Sequence, residues 1–192
     1  TYHVSGHDPQ AADVVLVPPF LDARTFREES DPLDKEATEI ARRLFIEALR
    51  DHPAFARKLI VAPTLERPDP TLAVGQAAEL GRRFNADVVV VGQLFSFVDT
   101  RAASIPPRAG MFVRVVEAGK TRTVFAGEDY QAAGAPEAKG ARIAQARLVA
   151  QALVEQYARV GEARNASAPD GPNVLFLPFH ERENPININA QN

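Results

Sequence analysis

Residues 86–92, ADVVVVG, constrain this chain more than any other passage. Successive side chains of a strand point to opposite faces. A run of four valines therefore has no polar face to offer water. Its β-branched side chains disfavour a helix. The run predicts a strand covered on both sides, as at the centre of an α/β sheet. That strand can continue to Val98, with Phe95 and Phe97 on one face and Leu94 and Val98 on the other.

Around it the chain alternates between two periods. Residues 13–17, DVVLV, form a short apolar run closed by Pro18 and Pro19, which reads as a buried strand. Residues 20–33 read as a polar loop. Asp31-Pro32 is a helix start, with Asp as N-cap and Pro at the first helical position. Ala37, Ile40, Ala41, Leu44, Phe45, Ala48 and Leu49 then make one helical stripe, with Arg42, Arg43, Glu47 and Arg50 off it, and Pro53 ends the helix. Residues 59–62, LIVA, predict a second short strand, closed by Pro63. Asp69-Pro70 repeats the helix start, and a second helix runs to about Asn85. Residues 111–117 and 122–130 predict a hairpin around Gly119 and Lys120. Pro136 opens a third helix, whose stripe is Ile143, Ala146, Ala150, Leu153, Tyr157 and Val160, and Gly161 stops it.

The fold class that follows is α/β (α+β): a mixed β-sheet flanked by three helices, in the order β-α-β-α-β-β-β-α-β. Both β-α-β passages should be right-handed. Residues 1–12 read as a flexible leader, 13–161 as the domain, and 162–192 as a linker, a late strand and a polar tail. The late strand is NVLFLPF at 173–179, which echoes VVLVPPF at 14–20. It pairs either in its own chain or in a neighbouring copy.

A search for chemistry finds no phosphate-binding loop, no GxGxxG, no GxSxG and no HExxH. The first strand ends in Pro18-Pro19, which lacks the backbone N–H groups that a phosphate needs. There is no Cys, so no thiolate site or disulfide. His180 with Glu181 and Glu183 lacks a second His at metal-ligand spacing and a nearby nucleophile. Asp13 and Asp87 precede strands and read as solvated strand starts. Phe95, Phe97, Phe112 and Phe125 read as core or sheet-face packing. A base-stacking role is disfavoured by the net charge of −3, since nucleic-acid binders are normally basic. No catalytic residue, cofactor or metal is expected. The loop at 100–110 joins two sheet strands and carries Arg101, Ile105 and Arg108, and loops on rigid scaffolds often bind. With Phe176, Phe179 and His180 of the late segment, these are the candidate protein contacts.

Four passages together carry a resemblance: DVVLVPPFLDA, ATEIARRLFIEAL, ADVVVVGQLFSF and MFVRVVEAGKTRTVFAG. They resemble the α/β domain of CsgG-like periplasmic lipoproteins. Similar patterns occur in the TolB amino-terminal domain, in LpoB-like activators of peptidoglycan synthases and in PelC-like export lipoproteins. The resemblance implies a non-enzymatic protein on the periplasmic face of the outer membrane of a Gram-negative bacterium. It would be anchored by a lipid on an amino-terminal Cys. Its partners would be itself, as a homo-oligomer, and envelope proteins of an export or assembly machine, with no nucleic acid. The loop at 100–110 is too short and too rich in proline and charge for the membrane hairpin of a secretion channel. A synthase activator is the alternative role, and a small-molecule-binding α/β enzyme is a further one.

Overall fold

The computed structural model describes residues 1–3, 6–25, 27, 31–64, 73–99, 106–134 and 141–160. Its strands are β1 (Tyr2–His3), β2 (Val14–Leu16), β3 (Leu21–Asp22), β4 (Leu59–Val61), β5 (Val88–Val98), β6 (Arg108–Glu117) and β7 (Arg122–Ala132). Its α-helices are α1 (Pro32–Lys35), α2 (Ala37–Asp51), α3 (Val74–Arg83) and α4 (Ala141–Ala158). One mixed sheet runs β1-β7-β6-β5-β2-β4, and β3 pairs with β5 beyond β2. The α/β class and the domain's strand–helix order match the sequence. The late strand at 173–179 lies outside the described residues, as do Asp69 and Pro70; the second helix starts at Val74, with Ala73 as its N-cap, later than the start expected at Asp69-Pro70.

The valine run lies at the centre of the sheet and is covered on both faces. Val88 and Val90 enter the core beneath α2 and α4, while Val89 and Val91 enter a smaller core with Ala77, Ala78 and Leu80 of α3. Beyond Leu94 the alternation breaks. The β5–β6 register shifts between Leu94 and Ser96. Such a shift re-aims the residues that follow it. Leu94 and Phe97 therefore share the larger core, which corrects the expected pairing of Phe95 with Phe97.

The polar loop expected at 20–33 begins with a strand instead. Val15 and Leu16 pair with Val88 and Val89, and Leu21 and Asp22 with Gln93 and Leu94. β2 and β3 are thus two pieces of one path along β5, interrupted where Pro18 and Pro19 lack donors. The Val17 N–H turns to the Val61 carbonyl at 2.8 Å. The Val17 carbonyl is claimed by Arg42, whose Nη2 donates to it at 2.9 Å and to the Pro63 carbonyl at 2.8 Å. Arg42 is therefore buried, not on the outer face of its helix. A buried carbonyl without a partner costs free energy, and the guanidinium supplies that partner.

The helix start at Asp31-Pro32 is as read: the Asp31 carboxylate accepts from the Leu33 N–H at 2.9 Å. Helicity breaks at Glu36 (φ −98°, ψ 4°), so a one-turn α1 precedes α2. The stripe on α2 is buried as expected. The short strand expected at 59–62 is present and lies at the sheet's edge, with Leu59 61% exposed. Residues of the leader pack on the domain. β1 pairs with β7 through Tyr2↔Ala126 and His3↔Phe125, and the buried His7 Nε2 lies 3.0 Å from the Tyr157 hydroxyl.

Gly92 is required by contact. A Cβ there would lie 2.4 Å from the Phe20 ring. Phe20 is itself pinned behind Pro18-Pro19 and against Phe45, at 5.8 Å between ring centroids. Gly92→Ala is expected to destabilise by about 1–3 kcal/mol, the usual cost of overpacking a core. Urea denaturation checks it, and Phe20→Leu in the Gly92→Ala background should recover part of the loss.

Candidate docking surface

Two features stand out where β3 and β5 end. The first is a buried ion cluster. Arg24 lies beside Asp22 at 2.8 Å and Asp34 at 3.2 Å. Arg142, in the first turn of α4, reaches Asp34 at 3.1 Å, Asp31, and Asp99 at 4.0 Å. The side chains of Arg24, Arg142 and Asp34 are 3%, 3% and 4% exposed. The Arg142 guanidinium also sits 4.8 Å from the centre of the Phe97 ring, a cation–π contact. The cluster ties β3, the start of α1, the start of α4 and the end of β5 into one corner, from which residues 100–105 depart.

This corner holds shape and has no spare base. Hydrogen bonding to Arg24 holds the Asp22 carboxyl below its ordinary range, and hydrogen bonding to Arg142 does the same for Asp31. Both stay ionised, which suits neither a general acid nor a proton shuttle. Asp87 also proves structural. Its carboxylate accepts from the backbone N–H groups of Asp13 and Val14 at 2.8 and 2.9 Å, joining β2 to β5. Asp13 itself lies 3.4 Å from Lys58. Both are exposed at strand starts, as expected, and Asp87 caps the start of β2 as well. An open polar groove of about 600 Å³ passes His7, Asp8, Arg82, Asp87, Glu117 and Lys120. Its Glu117 is paired to Lys120 and Arg122 at 2.9 and 2.8 Å. Among the described residues no group of three or more His, Cys, Asp or Glu could hold a metal.

The lowered values set the response to acid. Burial pushes His7 below its ordinary 6.5, and Asp22 and Asp31 lie below 3.8. In each case the unfolded chain takes up the proton first, so folding loses stability as pH falls. Two windows are expected, one opening below pH 6.5 from His7 and one below about pH 4 from the carboxylates. Urea midpoints measured from pH 8 to 3 check this. His7→Phe keeps the ring contact and should flatten only the upper window. An unchanged slope there would contradict the assignment.

The second feature is a half-buried part of the sheet on which no described helix packs. α3 covers Val89, Val91 and Val116. Farther along the same face, strand alternation places Gln93 and Phe95 of β5, Phe112 and Arg114 of β6, and Glu128 and Tyr130 of β7. Phe112 stands between Gln93 and Glu128 in register. Phe95 lies over Gly110, where a Cβ would come within 2.3 Å of its ring. Tyr130 is 47% exposed. Among the described residues no helix packs on this half. Aromatic residues and Arg are the types enriched in protein interfaces.

Arg108 falls on this face by the same alternation, at the start of β6 opposite Val98 and Ala132. The other expected contacts, Arg101, Ile105, Phe176, Phe179 and His180, lie outside the described residues, as do Glu181 and Glu183. Phe112 was visible in the sequence only as an aromatic on a strand. Its place beside Tyr130 and Phe95 depends on the β5–β6–β7 register.

No family model matches the chain, and no curated relative does. Solved structures do. The PelC dodecamer from Paraburkholderia phytofirmans aligns with TM-score 0.54 at 15% identity, over 83% of this chain and 96% of that one. Lipoprotein GNA1162 from Neisseria meningitidis aligns with TM-score 0.50 at 15% identity, over 76% and 96%. Protein XCC0632 from Xanthomonas campestris aligns with TM-score 0.50 at 13% identity, over 85% and 94%. At these identities the likeness is one of fold: this chain folds like the PelC protomer and the GNA1162 lipoprotein.

Proposed function

We propose that this chain is a non-catalytic periplasmic lipoprotein domain that self-associates and supports an export or envelope-assembly machine through protein–protein contacts. Its membrane tether is a lipid on an amino-terminal Cys, at the outer membrane of a Gram-negative cell. The observation that carries the reading is the aromatic half of the sheet on which no described helix packs, with Tyr130 exposed and Phe95 and Phe112 half-buried, on a fold seen as a dodecamer in PelC. Burying apolar surface there supplies roughly 25 cal/mol per Å² before the costs of association. The ion cluster keeps the adjoining corner rigid, so the surface is presented with little loss of freedom on docking. The CsgG-like resemblance of the sequence supports the same class of role.

Solution mass by light scattering tests the reading. A stable species several times the 20.9 kDa of one chain is expected. Tyr130→Glu places a charge in the contact and should shift the population to single chains while the far-ultraviolet spectrum stays unchanged. A wild-type protein that remains a single chain at high concentration would remove self-association and leave the synthase-activator role as the better account.

A further inference from the structure

β4 is the last strand of the described sheet, and one edge of it is taken. Val14, Val15 and Leu16 pair with Leu59, Ile60 and Val61, all parallel. Among the described residues no strand lies on the other edge. Exposed edges are normally blunted by a charge, a bulge or a proline within the strand. Leu59, Ile60 and Val61 carry none of these. Lys58, which could guard the edge, is turned to the Gln10 carbonyl and Asp13.

We propose that residues 174–177 of the same chain add to this outer edge, parallel to β4. Three observations converge on that occupant. The first is sequence. β4 already pairs with Val14-Val15-Leu16 on its inner edge and accepts from the Val17 N–H before Pro18 closes the run, and Val174-Leu175-Phe176-Leu177-Pro178 repeats that apolar pattern with its closing proline. A segment that matches the inner partner can meet the outer edge with the same backbone geometry, and its proline ends the pairing at the same place.

The second observation is position. The last turn of α4 is moored beside the turn that leads into β4. Tyr157 stacks on Phe55 with ring centroids 5.3 Å apart, and His52 Nε2 lies 3.0 Å from Glu155 Oε2. The chain therefore leaves α4 at the start of β4, the end from which a parallel strand must enter. The third is reach. Residues 161–173 intervene, and extended chain covers about 3.3 Å per residue, roughly 40 Å in all, more than the roughly 20–25 Å of four to five strand spacings from β6 and β7, on which α4 packs, to the outer edge of β4. A tether of this length holds its cargo near the site at an effective concentration of about a millimolar. That favours the chain's own edge over a neighbour's. The inference is independent of self-association through the aromatic half-face.

The chain contains no Cys, so introduced pairs report cleanly. In the full chain, Leu59→Cys with Val174→Cys should oxidise to a disulfide within one chain, since paired strands bring their Cα atoms inside the roughly 4.4–6.8 Å that a disulfide spans. The rate should exceed that of Leu148→Cys with Val174→Cys by at least about 10-fold, because Leu148 is an exposed residue of α4 reached only by random encounter. Both Leu59 and Leu148 are exposed, so neither change threatens folding. Val174→Asp should also speed hydrogen exchange of the β4 amides. A disulfide-linked dimer would mean that the segment is exchanged between copies, and would overturn the proposal. Equal rates for the two pairs would overturn it as well. Faster oxidation of Leu59→Cys with Leu177→Cys would overturn the parallel direction.

Discussion

Arg142→Ala is expected to lower the free energy of unfolding by about 3–5 kcal/mol, the range for removing one partner from a buried ion pair. The guanidinium is 3% exposed and serves Asp31, Asp34 and Asp99 together while stacking on Phe97. Its loss leaves Asp34, which is 4% exposed, dependent on Arg24 alone among these arginines. Arg142→Lys keeps the charge but not the planar fork that spans several carboxylates, and should recover less than half of the loss. Arg159→Ala, whose side chain is 67% exposed, is the control. An exposed pair of that kind contributes about 0.5 kcal/mol. Urea denaturation at pH 7 measures all three. A loss below about 1 kcal/mol for Arg142→Ala would show that Arg24 alone suffices for the buried Asp34, against the cost expected for weakening a buried charge's pairing.

Tyr157→Ala should cost about 3–5 kcal/mol, as for other large aromatic truncations in cores. Its ring meets Phe55, Phe125 and His7 at centroid distances of 5.3, 5.4 and 5.9 Å. It thereby joins α4 to β7, to the turn before β4 and to the amino-terminal segment. Burial pushes the phenol up, so it stays protonated at any pH at which the fold survives. Tyr157→Phe keeps the packing and removes only the hydroxyl facing His7. It should cost about 1 kcal/mol, the net worth of one hydrogen bond. Thermal and urea unfolding separate the two variants. A Phe variant as damaged as the Ala variant would mean that the polar contact, not the ring, holds this region.

The same arginines and aromatics explain what could and could not be read from the sequence. The central strand was legible because four adjacent valines leave no polar face, and α2 and α4 because their apolar residues recur at three and four. The hairpin followed from two valine-rich runs around a glycine. Arg24, Arg42 and Arg142 were not legible as interior groups. An arginine in a helix ordinarily faces water, and the carbonyls and carboxylates that pull Arg42 and Arg142 inside come from distant parts of the chain; Arg24 sits in a loop whose carboxylate partners, Asp22 and Asp34, carry no pattern of their own. β3 was missed because two residues after a double proline carry no periodicity. The uncovered half-face was half legible. Alternation put Phe112 and Arg114 on one side of β6, but nothing local says that α3 is too short to cover them.

The order of pairing has a consequence for how the chain must be made. β2, β3 and β4 precede β5 in sequence, yet β2 and β3 need β5 as their partner. β5 in turn shares its other edge with β6, and β6 with β7. A chain emerging amino-terminus first thus presents its early apolar strands with their central partner still missing. At about 5–20 residues per second, the interval from β4 to β7 lasts several seconds. During it a holding chaperone has something to grip, because the polypeptide has not yet locked. The central meander acts as the bolt, and it arrives late.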